Sequence, residues 1–201
     1  PSYLEIPRDI LDAEIPVEKA VIPKAGSYRS STKSIGDPAD IERLADILVA
    51  SERPAVLFGQ QVWASGSHTS AIEFIRSLDI PAYMNGASRG MLPETDPHHF
   101  DRTRSDAFKE ADVILIVGTP FDFRMGYGRR ISNAATLVQI DQSYATVGKN
   151  RDISLGLAGD PGAILKAVEQ AASGRIDQGA QKQRQAWMAR LREIEKAKLE
   201  K

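Results

Sequence analysis

The 201 residues suffice for one substantial core with peripheral segments, and 26 lysines and arginines against 27 aspartates and glutamates leave a formal net charge of −1. So balanced a chain offers no concentrated basic surface for nucleic acid or an anionic membrane, and neither is expected as a partner. The absence of cysteine excludes disulfides, thiolate nucleophiles and zinc–thiolate sites, and it points to a reducing, cytoplasmic compartment. No apolar run approaches the roughly 18 residues of a spanning helix, and the opening PSYLEIPRDI lacks the basic-then-apolar order of a signal peptide.

In chain order, SYLEIP alternates as a strand does, and residues 1–11 read as the tail of a strand and turn belonging to an upstream domain. Residues 12–36, dotted with proline and serine and without a period, read as a linker. Asp37 as N-cap and Pro38 at the first helical position open a helix carrying Ile41, Leu44, Ile47 and Leu48. PAVLFG (54–59) is a buried strand, SHTSAIEFIRSLD a helix and PAYMNG a strand. SDAFKEA is a short helix running into DVILIVG, the most apolar strand. ATLVQID and ISLGLAGD are further strands, and PGAILKAVEQAA is a helix. The polar end, 176–201, reads as a helix that docks elsewhere or serves as a linker toward a further domain, with Trp187, Met188 and Leu191 as a thin apolar stripe.

Strands alternate with helices, and the strands are continuous apolar runs. That is the pattern of a parallel sheet covered on both faces. The expected fold is α/β, a three-layer Rossmann-like domain over residues 37–175 with a mostly parallel sheet of about six strands.

In such a sheet ligands bind beyond the carboxyl ends of the strands. There the sequence places Gly59, Gln60 and Gln61; Asn85 and Gly86; Gly118, Thr119, Asp122 and Arg124; and Asp141 and Gln142. Glycine lets a ligand approach the backbone, arginine offers forked donors to phosphate, and a terminal acid such as Asp141 can accept both hydroxyls of a ribose. Ordinary strand-to-loop turns use the same glycines. GQQVWASG is not the dinucleotide fingerprint, and no phosphate loop with lysine and serine or threonine occurs. No serine sits in a nucleophile elbow. His68, His98 and His99 lack metal-ligand spacing, so no metal site is proposed. The adjacent pair His98 and His99 reads as surface, with nothing beside it to orient a ring. Trp63 reads as packing rather than stacking on a base.

The order of segments resembles the middle domain of thiamine-diphosphate-dependent enzymes of the acetolactate synthase family. RPAVLFGQQVWASG, IPAYMNGASRGMLPETDPHHF, ADVILIVGTPFDFR and LVQIDQSYATVGKNRDISLGLAGD are similar to successive stretches of that domain, and PSYLEIPRDIL resembles the end of the family's upstream domain. The resemblance covers about residues 1–170. It implies a three-domain, homo-oligomeric parent (a dimer or tetramer) that uses thiamine diphosphate and Mg²⁺ to decarboxylate a 2-oxo acid and ligate the product to an acceptor. The family's catalytic glutamate and its Gly-Asp-Gly…Asn motif are not found, so this chain alone is expected to bind neither cofactor and to catalyse nothing. Middle domains of the family hold FAD in the synthases, ADP or the ADP part of coenzyme A in oxalyl-CoA decarboxylases and 2-hydroxyacyl-CoA lyases, or nothing. TRS, with Arg104 and Ser105, resembles the Ala-Arg-Ser of the CoA branch, whereas PFDFR, with Asp122 and Arg124, resembles the synthases' Phe-Asp-Asp-Arg. Arg104 is expected on a phosphate beside Ser105 as helix cap, with a salt bridge to Asp101 or Asp106 as the rival role. A stand-alone binding module without a catalytic parent is the reading from another class.

Overall fold

The computed structural model describes residues 3–28 and 30–200. The chain divides into two units between Thr32 and Lys33. In the first, a single turn of helix (α1, Arg8–Leu11) and a 3₁₀ turn (Val17–Lys19) are the regular elements, and every described residue is exposed. The strand expected in SYLEIP does not form over its described part: Tyr3 to Pro7 pairs with no ladder, and the start of that stretch lies outside the described residues. Alternation marks a strand with one buried face, but only a neighbouring strand satisfies its backbone. The expected linker also ends before residue 36, because Ser34 belongs to the second unit, where its carbonyl accepts the Asp160 N–H at 2.8 Å.

The second unit contains α2 (Pro38–Ala50), β1 (Pro54–Phe58), α3 (Gln60–Ala64), α4 (His68–Ser77), β2 (Ala82–Met84), α5 (Arg104–Glu110), β3 (Val113–Val117), β4 (Thr136–Asp141), β5 (Leu155–Ala158), α6 (Pro161–Ala172) and α7 (Gln178–Leu199). All strand pairs are parallel, in the order β2-β1-β3-β4-β5. Among the described residues the sheet has five strands rather than about six, and none is antiparallel. Pro54 to Phe58 and Val113 to Val117 are buried throughout, as continuous apolar runs in a doubly covered sheet must be. On one face, α2, α4 and α6 pack Leu44, Leu48, Phe74, Ile75, Ile164 and Leu165 against Val56, Phe58 and Leu115. The opposite face packs Leu57, Ile114 and Ile116 with Phe100, Phe108, Phe121, Trp187 and Leu191. Asp37 opens α2 as expected, its Oδ1 accepting the Ala39 N–H at 2.8 Å ahead of Pro38. Among the described residues no helix is long and apolar enough to cross a membrane.

Helix α7 is expected to dock elsewhere or to lead to another domain, and it is packed here. It folds back onto the second unit, with Arg184, Trp187, Leu191 and Glu195 buried on one face at spacings of three and four. The Trp187 indole N–H donates to the Pro54 carbonyl at 3.0 Å. Two of the four docking residues are charged, so the apolar stripe alone understates the packed face.

Candidate functional site

β1 lies between β2 and β3, so the chain leaves β1 toward one side of the sheet for β2 and reaches β3 on the other side. This is the switch point at which open α/β sheets bind ligands. Here the crevice is filled by the protein itself. A Cβ on Gly59 would meet the Gly118 carbonyl oxygen at 2.5 Å, and one on Gly118 would meet Gln61 Cβ at 2.7 Å. The Gln61 side chain spans from α3 to the end of β4, its Nε2 donating to Asp141 Oδ1 at 3.1 Å and its Oε1 accepting the Gln142 N–H at 3.0 Å. Asp141 is fully buried, and its Oδ1 also accepts the Ser143 N–H at 2.9 Å. Its Oδ2 is buried without a partner.

The structure therefore brings Gly59, Gln61, Gly118, Thr119, Asp141 and Gln142 together, as expected, but as a latch between strand ends. Gln61 occupies one Asp141 carboxylate oxygen, Oδ1, and the Gln142 amide N–H, and leaves Asp141 Oδ2 without a partner. Gln60 and Gly86 lie exposed on the same rim. Asn85 precedes the 3₁₀ turn Gly86–Ser88; its backbone N–H donates to Ser88 Oγ at 3.1 Å and its side-chain amide to Met125 Sδ at 3.6 Å. Trp63, expected to pack, is 54% exposed, with its ring centroid 5.3 Å from that of His68.

The remaining expected residues meet elsewhere. Arg104, Ser105 and Arg124 line a cleft of about 380 Å³ together with Arg89, Arg102 and Arg130. Asp101 is the only carboxylate among its lining residues, and Tyr83, Phe100, Phe108 and Met125 supply apolar surface. The loop after β3 shapes the near wall. Asp122 Oδ1 accepts the Arg124 N–H at 2.9 Å and Oδ2 accepts from the Arg124 guanidinium at 2.7 and 3.0 Å, which holds the Asp122 carboxyl below its ordinary range. Tyr127 sits in the left-handed region, φ 56°, a conformation that costs a non-glycine residue energy and so fixes an unusual path for this rim.

Arg104 makes no salt bridge among the described residues, and its rival partner Asp106 is taken by Lys198. Ser105 does not cap α5. The helix begins one residue earlier with Thr103 as N-cap residue, and no side chain makes the cap hydrogen bond, because the Thr103 hydroxyl is turned inward to that of Tyr83 at 3.0 Å. Burial pushes the Tyr83 hydroxyl well above its ordinary pKa against the opposing bond from Thr103, so it stays neutral.

Residues 41–168 match the family described as thiamine pyrophosphate enzyme, central domain. The chain belongs to this family. Among relatives of this central domain, the acetolactate synthase large subunit IlvG of Mycobacterium tuberculosis is 35% identical over 166 residues, covering 79% of this chain and 29% of that protein. 2-Hydroxyacyl-CoA lyase 2 of Danio rerio is 30% identical over 139 residues, covering 67% of this chain and 22% of that protein. The chain thus spans less than a third of either relative. The crystal structure of benzoylformate decarboxylase from Polynucleobacter necessarius superposes with a TM-score of 0.60 at 20% identity over 76% of this chain and 30% of that one, a likeness of fold.

Among the described residues no cluster of three or more histidine, aspartate or glutamate side chains could hold a metal ion. The arginine cleft does fit phosphate groups, since it gathers forked cationic donors and leaves Arg104 uncommitted.

His98, expected at the surface, is 8% exposed. Its ring is held by Asp96 Oδ1, 3.2 Å from Nδ1, and Asp79 Oδ1, 3.4 Å from Nε2. The Asp96 side chain, 2% exposed, also pairs with Arg76 at 2.6 Å. Burial raises the Asp96 pKa, but hydrogen bonds from Arg76 and from the His98 amide and ring outweigh it and hold the carboxyl below 3.8. A carboxyl depressed in the folded state contributes stability that is present above its unfolded pKa and lost as pH falls through the folded one. Asp96→Asn should therefore flatten the decline of stability below about pH 4. Urea midpoints across pH 2.5–6 (a window set by the usual carboxyl range, about 4) check this, and an unchanged slope would refute it.

Proposed function

We propose that this central domain serves an acetolactate synthase-like enzyme that decarboxylates a 2-oxo acid and ligates the product to an acceptor, and that its arginine cleft holds the phosphates of a nucleotide, FAD or ADP or the ADP part of coenzyme A. The decarboxylation chemistry belongs to thiamine diphosphate with Mg²⁺ on other domains of a longer, homo-oligomeric, cytoplasmic parent. The 201-residue chain alone carries no group for it and is inactive by itself. One observation carries the nucleotide reading: five arginines line a single cleft beside the strand ends, one of them (Arg124) paired with Asp122, with Asp101 as the one aspartate in the lining, and among the described residues Arg104 has no acidic partner. A second reading, the same domain in a CoA-thioester lyase, is favoured by that free arginine in the TRS segment and by the likeness to a 2-hydroxyacyl-CoA lyase. In either enzyme the chain binds and orients. Its arginines clamp a diphosphate bidentately, and the apolar floor of Tyr83, Phe100 and Phe108 excludes water beneath it.

Titration calorimetry of ADP, coenzyme A and FAD against the chain and its Arg104→Ala variant tests this. The nucleotide that binds should lose about tenfold in affinity in the variant, the effect of one charge-assisted bond. FAD preference favours the synthase, ADP or coenzyme A the lyase. Unchanged affinity would make Arg104 structural and remove the basis of the reading.

A further inference from the structure

We infer that the carboxyl-terminal helix α7 sets the anion affinity of the arginine cleft, with Glu195 as the positioning residue for the wall that carries Arg102 and Arg104; the inference rests on the anion-binding reading of that cleft. Glu195 is 8% exposed and lies 94 residues along the chain from the turn it holds. Its Oε1 accepts two consecutive backbone N–H groups, from Asp101 at 2.8 Å and Arg102 at 2.9 Å. Its Oε2 accepts from Arg192 at 2.8 Å. The Arg192 guanidinium in turn lies 4.0 Å over the Phe100 ring and donates to the Pro97 carbonyl at 3.0 Å. One turn further along α7, Lys198 donates to the Arg102 carbonyl at 3.2 Å and pairs with Asp106 in α5. Helix α7 thus fixes both amide N–H groups at the start of the 101–103 turn and the carbonyl of Arg102. Those peptide planes determine where Arg102 points and how α5, with Arg104 at its first position, enters the cleft. A site works when its contacting side chains are locked by supporting bonds of this kind.

The sign of the effect separates positioning from bulk electrostatics. Glu195 is a negative charge close behind a cationic cleft, and its removal also frees Arg192. Coulomb's law alone therefore makes Glu195→Ala bind a polyanion more tightly. Positioning makes it bind more weakly, because the turn loses two charge-assisted bonds. Inorganic pyrophosphate, titrated calorimetrically into the 201-residue chain and its variants, decides between them. Glu195→Ala is expected to weaken pyrophosphate binding by about tenfold. Glu195→Gln, whose carbonyl oxygen still accepts both N–H groups, should stay within about threefold of the parent chain. Glu195→Asp keeps the charge and withdraws the oxygen, so it should weaken binding even if the alanine variant fails to fold. Amide exchange at Asp101 and Arg102 should accelerate in the alanine and aspartate variants and remain slow in the glutamine variant. If the parent chain ignores pyrophosphate, or Arg104→Ala binds it equally well, the anion-binding reading fails. If Arg104→Ala weakens binding while the alanine or aspartate variant of Glu195 binds as tightly as the parent or more so, or glutamine rescues nothing, the cleft stands and the role of α7 is overturned.

Discussion

Arg184→Leu is expected to destabilise the second unit by on the order of 4 kcal/mol, the largest effect of any single substitution considered for this chain. Arg184 has no solvent exposure. Its Nε donates to the Ser51 carbonyl at 3.1 Å, its Nη1 to that of Leu78 and its Nη2 to that of Leu48. Leu48 and Ser51 end α2, and Leu78 follows α4 as its C-cap. Carbonyls at helix ends have no partner within the helix, and two helix dipoles turn their negative ends toward this one cation. Leucine would fill much of the volume but leave three buried acceptors unpaired, at roughly 1–3 kcal/mol each before relaxation. Burial pulls the Arg184 pKa down from its ordinary value, and the charges of Asp112 and Asp79 oppose that shift. Arg184→Lys keeps the charge but not the planar fork and should fall between the two. Urea unfolding followed by helix signal measures all three proteins, and a loss below about 1 kcal/mol for leucine would mean that water replaces the guanidinium.

The same residue shows where the sequence stopped being informative. The strands β1 and β3 were the most legible, because PAVLF and VILIV are apolar and buried at every position, as a parallel strand covered on both faces is, whereas β4 buries Gln139 and Asp141 and β5 is only half-buried. Helix α7 was legible as a helix that docks or connects, but the face it docks with was only half legible. Its buried face uses Arg184 and Glu195, and periodicity assigns charged residues to solvent unless their partners are known. Those partners, the carbonyl of Leu48 and the amides of Asp101 and Arg102, are backbone groups that carry no residue signature. His98 illustrates the same limit, since the acid at its Nε2 is Asp79, a residue on the far side of β2. The cleft was half visible. Arg104 and Ser105 are legible from motif likeness and Arg124 from its place after a strand, whereas Arg89, Arg102 and Arg130 become neighbours only through the fold. The strand-end glycines were found, but a glycine that admits a ligand and one that admits another stretch of chain look alike in sequence.

Gly59→Ala separates those two uses of glycine and is expected to cost about 3 kcal/mol. The backbone of Gly59 has φ −109° and ψ −177°, extended geometry that any residue adopts, so conformational freedom is not the reason for glycine here. Space is the reason. An added Cβ would press on Thr119 Cβ and stand 2.5 Å from the Gly118 oxygen and 2.8 Å from its carbonyl carbon. Two of those three atoms are backbone, so no side-chain rotation relieves the overlap, and the turn after β1 has to separate from the turn after β3. Gln61, two residues along, would be carried with it, stretching its bonds to Asp141 and to the Gln142 amide. Gly90 provides the contrast: φ is +86° and nothing lies within 4 Å of an added Cβ, so Gly90→Ala meets only the left-handed strain of about 1–2 kcal/mol. Urea denaturation should rank Gly59→Ala clearly below Gly90→Ala in stability, and amide exchange at Gln142 should quicken in the first variant alone. Equal losses would mean that the turns yield freely, and that the switch-point crevice, closed by the protein's own chain in this structure, can open to a ligand after all.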